Sequence, residues 1–208
     1  MDACYFDLDG TLVEYDVPYP TIYETALERL GVEPRRSSPF SERFFEVFGA
    51  VDDPYAVAIE STAVDVDPTA FSETIVETEI EHTEAVTGSN EVLETLSDEY
   101  RLGVLTNGLG PVQRAKLEAV GLDAPLETIV VADEVDAWKP EPTIYRVAED
   151  RLPADSYTFV ADDLERDVVP AIDCGWRGVY VGTSASEVDT AQANLTSIER
   201  LEECLEVL

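Results

Sequence analysis

Hydrophobic and polar positions along this chain fall into two regimes. From about residue 88 onward, short apolar runs rich in β-branched residues alternate with segments of helical spacing. Residues 91–100 read as a helix, and 102–105 as a buried strand ending at Thr106-Asn107-Gly108. A helix follows over 112–120, with Gly121 as its stop. Residues 128–131 form an apolar run, 140–152 a helix opened by proline, and 157–160 a strand ending at Asp162-Asp163. The pattern then predicts a helix over 164–174, a strand over 178–181 and a last helix over 198–205. With an N-terminal strand through Phe6, this alternation predicts an α/β fold, a parallel sheet with helices on both faces.

Residues 14–86 break that rhythm. Helical spacing recurs over 21–30, where Ile22, Ala26, Leu27 and Leu30 share one side, and again over 40–48, 55–59 and 71–80. Pro34, Pro39, Pro54 and Pro68 lie between these segments, where helices break. The reading is a helical insert after the first strand, its own core built from Phe44, Phe45 and Phe48. The core domain would then be residues 1–13 and 87–208, with 14–86 as the inserted helical domain.

Composition narrows the function classes. Thirteen Lys and Arg stand against 45 Asp and Glu, a net charge of −32. Such a surface repels nucleic acid and anionic membranes, so neither is an expected partner. It also repels itself unless salt screens it, which points to a halophilic protein. No apolar run approaches the roughly 20 residues that span a bilayer. No basic region precedes an apolar segment at the N-terminus. Cys4, Cys174 and Cys204 suggest neither a disulfide framework nor a zinc site. A cytoplasmic location with reduced thiols is the simplest expectation.

The densest chemistry is at the start, in Cys4-Tyr5-Phe6-Asp7-Leu8-Asp9-Gly10-Thr11-Leu12. Residues i and i+2 of a strand share a face, so Asp7 and Asp9 project together from a strand end. Two such carboxylates repel unless a cation or a proton intervenes, which makes them a metal site, an acid/base pair, or both. Ligands of an open parallel sheet sit beyond the carboxyl ends of its strands. Thr106/Asn107 and Asp162/Asp163 are further polar strand ends. Lys139 stands at an expected helix start, where the dipole disfavours a cation. It is one of only two lysines. The other, Lys116, lies mid-helix between Arg114 and Glu118 and reads as a surface residue.

Four motifs in order, Asp7-Leu8-Asp9-Gly10-Thr11, Leu105-Thr106-Asn107-Gly108, Trp138-Lys139-Pro140-Glu141-Pro142 and Asp162-Asp163-Leu164-Glu165-Arg166-Asp167, make the chain resemble the haloacid dehalogenase (HAD) superfamily of hydrolases. The resemblance spans the whole chain and is to the phosphatase-like branch with a helical cap. It implies a Rossmann-like core, with the insert as the cap and hinges at 13–14 and 85–87. Asp7 would be the nucleophile, forming an aspartyl-phosphate, and Asp9 the acid and then the base. Thr106 and the backbone amide of Asn107 would hold the phosphoryl group, and Lys139 would neutralise it and Asp7. Magnesium would be held by Asp7, the backbone carbonyl of Asp9, Asp162 and Asp167, with Asp163 as a competing ligand.

Ala161 departs from the glycine usual before the fourth motif. His82, the single histidine, reads as a linker residue. Asp9 argues against dehalogenation, whose leaving group needs no proton. Residues 14–86 hold no lysine for the Schiff base of phosphonate cleavage. The expected activity is hydrolysis of a small phosphorylated metabolite. A sugar-phosphate mutase and a non-catalytic binding protein on the same fold are the alternatives. Arg29, Arg35, Arg36 and Arg43 of the insert either grip a second anionic group on the substrate or balance nearby carboxylates.

Overall fold

The computed structural model describes residues 1–34, 36–182, 193–201 and 205. The chain divides into two compact units, residues 1–14 with 84–208, and residues 15–83. In chain order the first elements are β1 (Ala3–Phe6) and β2 (Val13–Tyr15), followed by four helices. These are α1 (Tyr19–Arg29), α2 (Ser38–Val47), α3 (Pro54–Glu60) and α4 (Pro68–Glu81). Then come β3 (Thr83–Ala85), α5 (Ser89–Leu96), β4 (Arg101–Thr106), α6 (Gly110–Val120), β5 (Thr128–Val131) and the short α7 (Ala132–Val135). The chain continues through α8 (Pro142–Arg151), β6 (Tyr157–Ala161), a π-helical turn (Leu164–Val168), α9 (Val169–Asp173), β7 (Arg177–Val181) and β8 (Ala193–Leu195).

The larger unit carries a six-stranded parallel sheet in the order β5-β4-β1-β6-β7-β8. Every residue of β1 is buried because both sheet faces are covered. Cys4 and Phe6 face one apolar cluster with Leu93 and Leu96 of α5 and Leu117 of α6. Ala3 and Tyr5 face another, with Tyr145 and Ala148 of α8 and Ala171 of α9. Period-2 alternation thus feeds two cores from one strand. β1 lies between β4 and β6, so their carboxyl ends deliver Asp7, Thr106 and Asp162 side by side. No described helix is long and apolar enough to cross a membrane.

Several predicted boundaries move, for local reasons. Pro54 and Pro68 sit inside the first turns of α3 and α4 instead of between helices, where a missing N–H costs nothing. α8 begins at Pro142, two residues beyond Pro140. Glu141 is extended, at φ −66° and ψ 135°, as a residue before proline prefers. Lys139 therefore lies upstream of the helix, joined to Pro140 by a cis peptide, and the dipole argument for it falls. The expected helix over 164–174 opens as the π-helical turn before α9. Ala161 ends β6 as an ordinary strand residue opposite Tyr180. β2 and β3 pair as a two-stranded sheet where hinges were expected, and the division between units falls within them. Like α7 and β8, they are too short for periodicity to register. Ile198–Arg200 is a 3₁₀ turn. Most of the expected helix beyond it, with Cys204, lies outside the described residues, as does Arg35.

The smaller unit consists of α1–α4 and the adjoining strand residues. Tyr23, Phe40 and Phe71 are fully buried and mutually in contact, with ring centroids 5.1–5.8 Å apart. This corrects the expected aromatic core. Phe44 and Phe48 are half-buried and Phe45 is 73% exposed. Adjacent helical positions point about 100° apart, so Phe44 and Phe45 cannot share a face. Glu79 is buried and accepts from the hydroxyls of Tyr15, Tyr19 and Tyr55. His82 caps α4 and pairs with Asp16 at 2.8 Å. Arg29 and Arg43 pair with Glu81 and Glu46, as balancing charges would.

Candidate active site

The site lies within the larger unit and starts at the end of β1. The Asp7 amide donates to Val160 O at 2.9 Å, continuing the sheet one residue past the strand. Its carboxylate is therefore fixed near the axis of the sheet. Lys139 Nζ donates to Asp7 Oδ1 at 2.7 Å and lies 2.9 Å from Asp167 Oδ1. The second contact is close enough for Coulombic pairing but is not an aligned hydrogen bond. Lys139 is 4% exposed and sits 5.2 Å from the Phe159 ring centroid. Burial acts most strongly on Lys139 and pulls its pKa down, but the Asp7 and Asp167 charges together carry it above the usual lysine value. It therefore stays charged.

Asn107 explains how Lys139 is held without a helix around it. Its side-chain amide donates to Lys139 O and its Oδ1 accepts from Lys139 N, both at 2.9 Å. The sequence assigned Asn107 to the substrate through its backbone amide. The structure adds a side chain that locks the lysine loop to the end of β4.

Gly10 has φ +86°, a conformation L side chains rarely adopt, and a Cβ there would stand 2.2 Å from Asp162 Oδ2. Glycine thus lets the first turn and the Asp162 carboxylate meet. Thr11 Oγ1 donates to Asp162 Oδ1 at 3.4 Å. Asp163 caps the π-helical turn, its Oδ1 accepting from Arg166 N at 2.8 Å. That turn carries Asp167 back toward Asp7. Tyr145 pins the turn by donating to Asp167 O at 3.1 Å.

Asp7, Asp162 and Asp167 each bring one carboxylate oxygen within 4.8 Å of the others. Partial burial, then the charge of Asp7, raises the Asp162 carboxyl. Burial pushes Asp167 up to about 7, with Lys139 opposing and Asp7 adding. Three crowded carboxylates with one lysine between two of them have a strong demand for positive charge, and an all-oxygen donor set suits a hard cation such as magnesium. The residues fit that ion. Asp163, the competing ligand, is not in the group, because it is spent on the cap.

The Asp9 carboxylate also stands apart from these three. It turns toward α6, where Lys116 Nζ donates to Oδ1 at 2.8 Å and Gln113 Nε2 donates to Oδ2 at 2.6 Å. Gln113 Nε2 also reaches Thr106 Oγ1 at 2.9 Å. Lys116 is 4% exposed and faces the site, which corrects its reading as a surface residue. Neither Gln113 nor Lys116 was singled out from sequence. The usable signal was the scarcity of lysine together with an i, i+3 pair in the helix that follows Thr106.

The sequence pattern of the haloacid dehalogenase-like hydrolases matches residues 4–181. Pyrimidine 5′-nucleotidase YjjG of Escherichia coli is 22% identical over 227 aligned residues, covering 100% of this chain and 97% of that protein. Several further curated relatives are matched over about half of their own length or less. The HAD phosphatase from Thermococcus onnurineus superposes with a TM-score of 0.74 at 26% identity, over 99% of this chain and 98% of that one. The putative HAD-hydrolase YfnB from Bacillus subtilis, solved bound to magnesium, superposes at 0.76 and 16% identity, over 99% and 98%. With most of its length matched by the family pattern, the chain belongs to the haloacid dehalogenase-like hydrolase family.

Proposed function

We propose that this chain is a magnesium-dependent phosphatase that hydrolyses small organic phosphate monoesters through a phosphorylated Asp7. The observation that carries the reading is the buried Asp7–Lys139 pair, at the end of a central strand, with a second carboxylate two residues on. The Asp7 oxygen not engaged by Lys139 attacks phosphorus, and the ester oxygen departs as an alcohol with a proton from Asp9. The Thr106 hydroxyl and the Asn107 amide hold phosphoryl oxygens, and Lys139 offsets the charge on Asp7 and the phosphate. Asp9, now ionised, takes a proton from water, whose oxygen attacks the phosphorus of the aspartyl-phosphate. Inorganic phosphate leaves and Asp7 is regenerated. Asp7, the Asp9 carbonyl, Asp162 and Asp167 would hold magnesium, which when bound supplies charge neutralisation for the phosphoryl group.

An acid at position 9 favours phosphate esters over halogenated substrates, because an alkoxide leaving group needs a proton. Relatives named as a nucleotidase and a HAD phosphatase support the same reading. We read the helical unit as the cap, and the net charge of −32 as a fit to a cytosol of concentrated salt. The test is turnover of p-nitrophenyl phosphate in concentrated KCl, with and without magnesium. Magnesium-dependent turnover that Asp7→Asn abolishes supports the proposal. A wild-type protein inert across divalent metals and salt concentrations refutes it.

A further inference from the structure

The chemistry above gives no part to Gln113 and Lys116, yet both are buried, at 2% and 4% exposure, with their polar ends on Asp9. An i, i+3 pair projects from one face of a helix, so α6 presents both to the same carboxylate. Both Asp9 oxygens act as acceptors toward α6, and the Gln113 nitrogen, not its oxygen, faces the carboxylate. The two amide hydrogens of Gln113 are consumed by its two short contacts, Asp9 Oδ2 at 2.6 Å and Thr106 Oγ1 at 2.9 Å. A longer contact of the same nitrogen reaches Asn107 O at 3.3 Å.

A hydroxyl has one proton and two lone pairs. With Gln113 donating to Thr106 Oγ1, the threonine proton is directed elsewhere, here to Asn107 O at 3.2 Å. The backbone is shaped for this arrangement. A Cβ on Gly108 would lie 2.5 Å from Gln113 Cγ and 2.8 Å from its Nε2, so glycine is what admits the glutamine. The Asp9 side chain is 45% exposed, and with both oxygens held from α6 it cannot rotate freely among solvent-facing rotamers.

We infer that Gln113 and Lys116 are positioning residues for the reaction. One amide nitrogen ties the proton-transferring carboxylate to the phosphate-binding threonine, and Lys116 fixes the carboxylate's other oxygen. Through them α6 sets where Asp9 delivers its proton. This inference rests on the phosphatase reading.

The test compares kcat/KM for p-nitrophenyl phosphate, whose phenolate leaves without a proton, with that for alkyl phosphates such as glycerol phosphate, whose alkoxide needs one. Lys116→Met and Gln113→Leu should lower the rate on alkyl phosphates by about tenfold or more, part of the 10²–10⁴ that a placed acid contributes. They should change p-nitrophenyl phosphate turnover by less than about threefold. Lys116→Arg should restore alkyl phosphate turnover. In an Asp9→Asn background, Lys116→Met should add no further loss, as expected when one residue acts through another.

Equal losses on both substrate classes, or losses that add fully to Asp9→Asn, overturn the assignment while the phosphatase reading stands. A wild type that turns over no phosphate ester overturns both. Thermal melts identify a variant that fails to fold, and the substrate split of the other of the two, Lys116→Met or Gln113→Leu, then still decides the question.

Discussion

Asp167→Asn should stabilise the protein when metal is chelated, in a pH-dependent way. The Asp167 carboxyl stands at about 7 against an ordinary 3.8, chiefly because it is buried. The folded state therefore holds that proton more firmly than the unfolded chain does. Stability from this group is fully present below pH 4 and is lost as pH rises toward 7. A rise of about three units corresponds to about 4 kcal/mol lost above pH 7. Asp7 and Lys139 share the pocket and readjust when one charge is removed, so the expected gain is about half of that, ~2 kcal/mol at pH 8. It should shrink by more than half at pH 5 and vanish below pH 4. Asparagine keeps the size of the side chain, and Tyr145 binds the backbone carbonyl, which the substitution leaves in place. Urea titrations in concentrated KCl with chelator, from pH 5 to 8, measure the gap. Saturating magnesium should reverse the order, since a ligand at 100 times its Kd adds about 2.7 kcal/mol to the protein that binds it. A variant less stable than wild type at pH 8 in chelator, or a gap that ignores pH, refutes the argument.

Gly108→Ala forces a Cβ to within 2.5 Å of Gln113 and should cost about 1–3 kcal/mol, read from thermal melts. It should also reproduce the substrate discrimination of Gln113→Leu. Glu79→Leu removes the acceptor shared by Tyr15, Tyr19 and Tyr55 and should cost about 2–4 kcal/mol in urea titrations. A cost under half a kcal/mol would show that these hydroxyls find other partners. With 45 acidic against 13 basic residues, the melting temperature should climb as KCl is raised. Full stability in dilute buffer would contradict that.

The alternation of strands with helices and the three polar strand ends were legible in the sequence because parallel strands buried on both faces leave continuous apolar runs. The carboxylates Asp7, Asp162 and Asp167 were what the family resemblance implied, although it left the choice between Asp167 and Asp163 open. That choice depends on the π-helical turn, whose cap uses Asp163 and whose extra residue per turn carries Asp167 to the site. β2, β3 and α7 hold three or four residues each without a continuous apolar run, so nothing marks them in the sequence. The aromatic core of the helical unit was misassigned because spacing identifies a helix face only when its residues do not adjoin. Tyr23 and Phe71, which pack on Phe40, come from helices distant in sequence.

The placement of Lys116 shows what composition can say that periodicity cannot. A lysine between Arg114 and Glu118 in mid-helix looks like any solvated surface lysine. In this chain, though, lysine has almost vanished from the surface. Of 13 cations 11 are arginine, and the two lysines are both nearly fully buried. One pairs with Asp7 and Asp167, the other with Asp9. An ammonium is a compact point charge on a flexible stem. Lysine therefore persists where a site needs a point charge, even though the exterior is given over to carboxylates and arginine. Scarcity turned each remaining lysine into a candidate, and the same argument that singled out Lys139 applied equally to Lys116.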